Sequence, residues 1–355
     1  MGFMVILTLA TFGLSWCFVW CILRLSHKKG WFDHHDERKI HEGQIPRLGG
    51  VGFITAYVGM VCILLLSGFW KDRTQDLSFF LVLAAMLLIL IFGVWDDFKP
   101  LRARYKFLVQ AMAALLVVLA GYRFQRLSFP EIGLVFQFGW LSYPLTFIWI
   151  IGIINAINLI DGVDGLAGGI SVIILVWYAV IYLMMKNVQA WQFSLLLIGA
   201  IGGFLCFNFP APRAKIFMGD TGSQFLGFFI ALLPIWDTVQ WGISPISPPY
   251  AAGLTLIPIL DTFAAIWRRV RDKRGIYEPD REHTHHKLMA LGCTALQVDG
   301  ILYGLQFVSG LCIALSLTIG KAFRVPLVIA AYGIVILFFV LLHYAYSHRI
   351  KGTEA

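Results

Sequence analysis

Adjacent carboxylates end one of the apolar runs of this chain, in the segment FGVWDDFKPL, where Asp96 and Asp97 follow a run without charge. A carboxylate at membrane depth costs about 2.5–3.5 kcal/mol even on a lenient insertion scale, so acids at such positions are candidates for chemistry. Because the C-terminal end of a helix disfavours negative charge, two acids there predict a cationic partner, either Lys106 or a metal ion. A solvated helix end is the simpler alternative.

Amide and carboxylate side chains recur at every third position in the segment NAINLIDGVDGLAGG, at the end of another apolar run. On a helical surface neighbours at this spacing lie close together, and the glycines that follow allow a ligand to approach the backbone. A loop of Asx turns is the alternative, but it does not explain four such groups in phase. The group consists of Asn155, Asn158, Asp161 and Asp164.

The segment KIFMGDTGSQFLG places Asp220 in a glycine-flanked turn before the next apolar run. Mg²⁺ takes a few oxygen ligands from a protein and completes its shell with phosphate and water, so Asp220 and one amide or carboxylate from elsewhere would suffice. Helix capping by Thr221 or Ser223 is the alternative, and it leaves Asp220 without a role.

Three histidines lie within four residues in the segment DREHTHHKL, flanked by Arg281 and Lys287. The spacing is not that of a zinc protease, and no cysteine supports a zinc site. Imidazoles beside cationic side chains suit a phosphate-bearing ligand through charge-assisted hydrogen bonds. A basic loop that only sets membrane topology is the alternative. The histidines are His283, His285 and His286.

The first polar loop, DERKIHEGQIPRLGGVG, combines basic side chains with glycines. Its candidate anion ligands are Arg38, Lys39, His41 and Arg47. A phosphate-bearing substrate and anionic lipid headgroups are equally compatible with this pattern. The residues alone leave both alternatives open.

The composition indicates what must position these groups. Hydrophobic residues make up 59% of the 355, charged residues 14%, and the mean hydropathy is +0.78. Soluble domains carry about 45–50% apolar and about 25% charged residues. The chain is therefore predicted to be a polytopic α-helical membrane protein.

Apolar runs near the length of a membrane span predict about eleven transmembrane helices. No linker, low-complexity tract or internal repeat interrupts them, so the fold predicted is all-α, with one integral domain over 1–355. The predicted spans are 3–23, 50–68, 78–95, 107–121, 141–157, 169–185, 190–207, 225–236, 250–267, 301–319 and 326–346.

Lysine and arginine are divided unequally between alternate loops, with 21 of the 28 on one side and seven on the other. By the positive-inside rule the richer side is cytoplasmic, which places the N-terminus outside and the C-terminus inside. The candidate carboxylates also lie on the cytoplasmic side. The active site is therefore predicted at that face.

Several function classes lack support. The formal charge of +8 lies mostly in short loops between apolar spans, which indicates topology and not nucleic-acid binding. Six scattered cysteines suggest neither a disulfide framework nor a zinc site. No phosphate-binding loop of an ATPase, dinucleotide fingerprint or cysteine pair of an iron–sulfur site is found. Jointly the motifs predict a metal-assisted site for phosphate chemistry at the membrane surface.

Over residues 33–292 these motifs, in their order, resemble the polyprenyl-phosphate N-acetylhexosamine-1-phosphate transferases, the bacterial group that includes the MraY, WecA and TagO enzymes. The segment HTHHKL resembles the form found in the WecA and TagO branch, whereas MraY-type members usually carry three consecutive histidines. EPDREHTHH and IPILD are particularly similar to WecA. In FDHHDERK, His34 and His35 stand where members commonly have a proline nearby.

The resemblance implies transfer of a sugar 1-phosphate from a UDP-sugar to a lipid phosphate, with release of UMP. It implies a site for Mg²⁺, or alternatively Mn²⁺, at Asp220 and Asn158. Asp164 is expected to contact the uracil. The catalytic group implied is Asp96, Asp97, Asp161 and Lys106. The further substrate-binding residues implied are Asn155, His283, His285, His286, Arg281, Lys39 and Arg38.

The expected partners are UDP-GlcNAc and undecaprenyl phosphate, among the lipids of the bacterial inner membrane and without nucleic acid; a homodimer is left open. The product would begin a surface polysaccharide of O antigen, enterobacterial common antigen or teichoic acid type. The mechanism expected is direct in-line attack of the lipid phosphate on the β-phosphorus. A two-step route through an aspartyl intermediate remains the alternative.

Other functions stay open at this point. The donor sugar could be another UDP-N-acetylhexosamine or UDP-MurNAc-pentapeptide. A secondary transporter is the alternative from a different class, but transporters place ionisable groups near the bilayer midplane, often in repeated halves. Here the carboxylates lie toward one face, which favours an enzyme. A lipid-binding scaffold would need no carboxylate cluster.

Overall fold

Most of the described chain is helical. The computed structural model describes residues 1–32, 45–70, 77–129, 133–209, 213–236, 238–275, 278, 280 and 282–353. Its helices are α1 (Gly2–Lys29), α2 (Gly49–Leu66), α3 (Leu77–Phe98), α4 (Ala103–Leu119), α5 (Ser142–Ile160), α6 (Leu166–Met184), α7 (Val188–Asn208), α8 (Gly219–Leu232), α9 (Thr238–Trp241), α10 (Pro248–Leu254), α11 (Leu256–Arg271), α12 (Thr284–Ala290), α13 (Ala295–Thr318) and α14 (Lys321–Thr353).

Eight of the described helices are long and apolar enough to cross a membrane, or nine if the bent pair α10–α11 forms one span. Each predicted apolar run overlaps a helix. However, α4 has 17 residues and α8 has 14, fewer than the roughly 20 that a bilayer requires. The all-α multi-pass fold is thus confirmed, whereas the count of eleven spans is not.

The short helix α8 lies at the centre of the bundle. Nearly all of its side chains are buried, and it packs against α2, α3 and α5. The peripheral helices α1, α3 and α14 expose large apolar side chains instead. An apolar outer surface is what the hydrocarbon core of a membrane accommodates. The chemistry-bearing ends of the inner helices are therefore held by a packed interior.

The α10–α11 pair is one apolar segment broken by a bend of 88° at Thr255. Pro258 has no backbone N–H, so the carbonyl of Leu254 loses its usual helical donor. The side chain of Gln306, on α13, replaces that donor with a hydrogen bond of 2.8 Å. The bend is therefore compatible with a membrane interior, where each backbone polar group needs a partner within the protein.

A β-hairpin marks one end of the bundle, between α4 and α5. Strands β1 (Arg126–Phe129) and β2 (Leu134–Gln137) pair antiparallel, with Arg126 opposite Gln137. This end is called the hairpin face. The opposite end, which carries Asp97 and Asp220, is called the carboxylate face.

Candidate active site

Asp220 is the centre of a cluster formed where the ends of four segments meet. Its Oδ1 accepts a hydrogen bond of 2.7 Å from the side-chain amide of Asn158, at the end of α5. Its Oδ2 lies 3.2 Å from Nζ of Lys106, on α4, and 3.3 Å from Nη2 of Arg47, just before α2. The structure thus brings together three predicted site residues and adds Arg47, which the sequence analysis named only as one basic candidate ligand of the first polar loop.

Lys106 bridges two carboxylates. Its Nζ lies 2.5 Å from Oδ2 of Asp96, and the other oxygen of Asp96 accepts a hydrogen bond of 2.7 Å from the backbone N–H of Leu101. Asp96 is buried, so it depends on these partners for compensation of its charge. The sequence analysis predicted either Lys106 or a metal ion as the cation beside Asp96 and Asp97. The structure shows Lys106 paired with Asp96.

Asp97 caps helix α8 from the neighbouring helix α3. Its Oδ1 accepts from the backbone N–H of Asp220 at 2.8 Å, and its Oδ2 accepts from the N–H and the hydroxyl of Thr221 at 3.2 and 2.5 Å. A carboxylate at a helix N-terminus satisfies unpaired N–H groups and is favoured by the helix dipole. Capping by Thr221 or Ser223 themselves, the alternative from sequence, is not what the described helix shows.

Gly219 makes this cap possible. It has φ of +74°, a conformation that favours glycine, and a Cβ at this position would collide with the carbonyl oxygen of Arg47 and the carboxylate of Asp97. The backbone therefore passes close to both charged neighbours, and Asp220 follows directly.

Asn155 lies away from Asp220. Its amide donates to the side chain of Gln110 at 2.7 Å, and Gln110 donates to Gln224 at 3.2 Å. These amides connect α5, α4 and α8 beneath the carboxylates. The geometry shows a packing contact for Asn155, whereas the sequence pattern placed it in phase with Asn158.

The histidine motif is held by Asp261, an acid within the apolar part of α11. One oxygen of Asp261 lies 2.6 Å from Nδ1 of His283. The other accepts from the N–H and the hydroxyl of Thr284, at 2.7 and 2.6 Å. Asp261 thus caps α12 as Asp97 caps α8. The sequence analysis did not assign it to the site, although its position in an apolar run was a usable signal.

His285 rests against the loop that follows α5. A Cβ on Gly162 would collide with its ring, and its Nδ1 is buried without a hydrogen-bond partner among the described residues. Burial first, and then the neighbouring His286, lowers the pKa of His285 to about 3. His285 therefore offers a neutral imidazole, whereas the sequence analysis expected charge-assisted contacts from this motif. Its contact with a phosphate stays a prediction.

The loop after α5 carries the two remaining predicted acids. Burial, and next the negative charge of Asp220, raise the pKa of Asp161 well above its usual range. Asp164 is buried and accepts from the backbone N–H of Ala214 at 3.4 Å. Two residues of α13 that sequence reasoning missed lie nearby: Tyr303 donates to the carbonyl of Gly165 at 2.6 Å, and buried Asp299 lies close enough to Asp164 for repulsion.

Three predicted substrate ligands, Arg38, Lys39 and Arg281, lie outside the described residues, as does His41. His286 lies beside His285, with ring centroids 4.2 Å apart. A cavity of about 180 Å³ opens next to the cluster, lined in part by Arg47, Asp97 and Trp31.

The donor set fits a hard cation of the kind expected. In the part of the chain that the structure describes, no three His, Cys, Asp or Glu side chains converge as a metal site built from protein alone would require. Mg²⁺ is usually held by one or two carboxylates together with substrate phosphates and water. Among the described residues, two cationic side chains lie close to the carboxyl cluster, those of Lys106 and Arg47. The cluster contains four carboxyl groups, so a further positive charge is compatible with it. These are Asp96, Asp97, Asp161 and Asp220.

Comparison with known proteins identifies similar sequences. Residues 79–237 match the sequence family described as glycosyl transferase family 4. A protein of Bacillus subtilis (strain 168) named probable undecaprenyl-phosphate N-acetylglucosaminyl 1-phosphate transferase is 36% identical over 287 residues, covering 81% of this chain and 77% of its own length. A protein of Haemophilus influenzae named undecaprenyl-phosphate alpha-N-acetylglucosaminyl 1-phosphate transferase is 31% identical over 338 residues, 92% of this chain and 89% of its own length. One of Escherichia coli (strain K12) with that name is 28% identical over 292 residues, 79% and 75% of the two chains.

Proposed function

The chain belongs to glycosyl transferase family 4, and from this premise we propose that it transfers GlcNAc-1-phosphate from UDP-GlcNAc to undecaprenyl phosphate. The products are UMP and undecaprenyl-pyrophosphoryl-GlcNAc. The names of the relatives support the donor sugar and the lipid. The observation that carries the proposal for this chain is the position of Asp220, at a capped helix N-terminus between Lys106, Arg47 and Asn158.

Asp220 and the side-chain oxygen of Asn158 would hold Mg²⁺. When bound, the ion supplies charge neutralisation for the pyrophosphate of the donor. Lys106 and Arg47 stand next to the same carboxylate, so both can contact phosphate oxygens that approach Asp220. Arg47 offers the planar donor geometry that suits phosphate, and Lys106 offers a compact charge.

The reaction proposed is a direct displacement. A phosphate oxygen of the lipid attacks the β-phosphorus of the donor, and the bond from that phosphorus to the bridging oxygen breaks, so UMP leaves with the electron pair. Positioning and electrostatics supply most of the catalysis of such steps. A two-step route would need an aspartate oxygen free to attack. Both oxygens of Asp97 hold α8, and Asp96 is paired with Lys106, which favours the direct route.

The loop after α5 and the histidine motif form the other side of the proposed site. Asp164 is proposed to contact the uracil. His285 is neutral, and its Nδ1 has no partner among the described residues. We propose that this ring nitrogen donates a hydrogen bond to a phosphate oxygen. Asp161 completes the carboxyl cluster.

The protein is a multi-pass membrane protein, and we propose that its carboxylate face is cytoplasmic, in the inner membrane, with the N-terminus outside. The excess of Lys and Arg on that side supports this orientation. The acceptor phosphate would sit at the headgroup level, where these helix ends emerge. Since the polar cluster lies at one end of the bundle and not at the midplane, an enzyme is favoured over a transporter.

The proposal is tested by incubating purified protein with UDP-GlcNAc, undecaprenyl phosphate and Mg²⁺ and identifying the released nucleotide. UMP together with a GlcNAc-pyrophosphoryl lipid is expected. Asp220→Asn should abolish both products, whereas Asp272→Asn, the same change at an exposed acid paired with Arg271, should not.

Release of UDP would mean ordinary glycosyl transfer and would contradict the mechanism. If no nucleotide appears, other UDP-N-acetylhexosamines and UDP-MurNAc-pentapeptide are tested in the same assay. UMP release with one of these would correct the donor and retain the chemistry. Absence of turnover with every donor would contradict the enzyme proposal.

A further inference from the structure

A cavity of about 410 Å³ lies at the hairpin face. Its walls come from β1, the loop 244–247, the ends of α6 and α13, and the start of α14. Helix α6 begins at Leu166, directly after the loop that carries Asp164, and its last residue, Met184, lines this cavity. Nineteen helical residues span about 28 Å, so the cavity is separate from the candidate active site.

The polar residues of the cavity lining, called its polar half, include two cations. Arg126 of β1 and Arg324 of α14 both line it, and no acidic residue is among the described lining residues. The hydroxyl of Ser244 is buried and has no hydrogen-bond partner in the described part of the chain. A buried hydroxyl without a partner is unusual, and here its residue lines the same cavity as the two arginines. The other serine and threonine hydroxyls in the lining are those of Ser128, Ser247 and Thr318.

The polar half is held by contacts between elements distant in sequence. The backbone N–H of Ser128 donates to the hydroxyl of Ser247 at 3.0 Å, and the N–H of Ser244 donates to the side chain of Gln125 at 2.9 Å. The hairpin is thereby fixed to the loop 244–247. Guanidinium and hydroxyl donors in a fixed arrangement, with no carboxylate among the described lining residues, suit a phosphate group.

An apolar slot adjoins this polar half. A second cavity of about 260 Å³ shares Tyr250 with the first and is otherwise lined by aliphatic and aromatic side chains. The two cavities are also lined by consecutive residues of the chain. Ser128 and Arg324 line the first cavity, and the residues that follow them, Phe129 and Val325, line the second. The other slot residues are Leu134, Val328 and Ile329.

We propose that the two compartments form a binding site for one anionic phospholipid in the leaflet at the hairpin face. The lipid phosphate lies between Arg126 and Arg324, and an acyl chain occupies the slot beside Tyr250. A free phosphate or a water-soluble phosphoester would use only the cationic half and would leave the slot empty. The combination of a cationic compartment with an adjoining apolar one selects the lipid.

The test uses the full-length protein with Met184→p-benzoylphenylalanine, in nanodiscs of phosphatidylglycerol and phosphatidylcholine mixed equally. After irradiation, the cross-linked lipids are identified by mass spectrometry. We expect phosphatidylglycerol to exceed phosphatidylcholine by roughly tenfold or more, because each arginine near an anionic headgroup favours it by about fivefold. Arg126→Gln/Arg324→Gln should bring the ratio close to one.

The matched control is Arg123→Gln/Lys186→Gln, which removes the same charge from the predicted outer loops but from residues that do not line the cavity. It should keep the wild-type ratio. If the cavity double variant does not fold, Arg126→Gln alone should still lower the ratio by about fivefold. A wild-type ratio near one, or an equal fall in the control, would overturn the proposal.

Two further arms separate the lipid from a soluble ligand. Leu134→Asn, in the slot, should lower the cross-linking yield of phosphatidylglycerol. An unchanged yield would contradict the proposed position of the acyl chain in the slot. Glycerol phosphate should not displace the lipid. If it does so as completely as added phosphatidylglycerol, the cavity binds a soluble phosphate and the lipid assignment is wrong.

Discussion

Thr221 provides the means to decide whether Asp97 positions α8 or takes part in the chemistry. Asp97 accepts three hydrogen bonds from the first turn of α8, and the hydroxyl of Thr221 provides one of them at 2.5 Å. Thr221→Ala removes this donor and leaves the carboxylate and both backbone N–H groups in place. If Asp97 acts by positioning Asp220, this change should impair catalysis although Thr221 itself is fully buried.

The size of the effect follows from the contact. A hydrogen bond to a charged group contributes about 1.5–3 kcal/mol net, and a tenfold change in rate corresponds to about 1.4 kcal/mol. Thr221→Ala should therefore lower kcat/KM by up to about 10- to 150-fold, with part of the loss appearing as reduced stability. Asp97→Asn retains one acceptor oxygen but places an NH₂ group against hydrogen-bond donors of α8. The loss of kcat/KM should therefore be larger than in Thr221→Ala.

The assay is a double-mutant cycle on UMP release, with thermal unfolding measured for every variant. When two residues act through one contact, their effects are not additive, and the coupling is of the order of 0.5–3 kcal/mol. Asp97→Asn/Thr221→Ala should then resemble Asp97→Asn alone. Thr146→Ala is the matched control: Thr146 is also fully buried and accepts from the N–H of Phe124 at 2.9 Å, toward the hairpin face. It should lower stability and leave kcat/KM unchanged.

One pattern would refute the positioning role. If Asp97 were the general base, Asp97→Asn would lose the factor of about 10²–10⁴ that such groups supply, whereas Thr221→Ala would remain near wild type. The two effects would then add in the double variant.

Three further predictions concern the same face. Gly219→Ala should lower kcat/KM and thermal stability together, since its φ of +74° and its close neighbours leave no room for a Cβ. Gly59→Ala, inside α2 with open space around it, should leave kcat/KM unchanged and should not lower stability. The pKa of His285, about 3, lies below its unfolded value, so the stability due to the neutral ring is present above about pH 6.5 and is lost as the pH falls toward 3. The unfolding temperature of the wild type should therefore fall more steeply from about pH 7 to 5 than that of His285→Gln. His348→Gln, at an exposed position, should follow the wild type. Equal slopes for all three proteins would contradict the burial argument. Removal of Mg²⁺ by a chelator should abolish UMP release, and any residual turnover in Asp220→Asn should need a higher Mg²⁺ concentration; full activity in the chelator would contradict the metal proposal.

The helices could be predicted from the sequence because a long apolar segment has few alternatives to a helix in a membrane. The bend at Thr255 could not, even though Pro258 was visible. A proline breaks a membrane helix only where another group satisfies the released carbonyl, and here that group is Gln306, 52 residues away. The hairpin was missed because its strands have only four residues each, too few for a periodic pattern.

Helix geometry explains why the spacing of polar residues predicted only part of the site. Three residues fall about 60° short of a full helical turn, so Asn155 and Asn158 face different neighbours. Asn158 reaches Asp220, whereas Asn155 reaches Gln110 on α4. The helix then ends at Ile160, and the later acids of the motif lie in a loop where helical spacing does not apply.

The cost of placing an acid near the membrane points to candidate functional aspartates without distinguishing their roles. Asp97 and Asp261 both lie in long, largely apolar segments, and each is compensated by the first residues of another helix, α8 and α12 respectively. Asp220 is instead compensated by Lys106 and Arg47, cationic side chains that can equally contact a phosphate. The distinction between a positioning acid and a reacting one therefore depends on the donors around it. Because those donors come from segments distant in sequence, only the folded chain reveals which acids remain available to substrate.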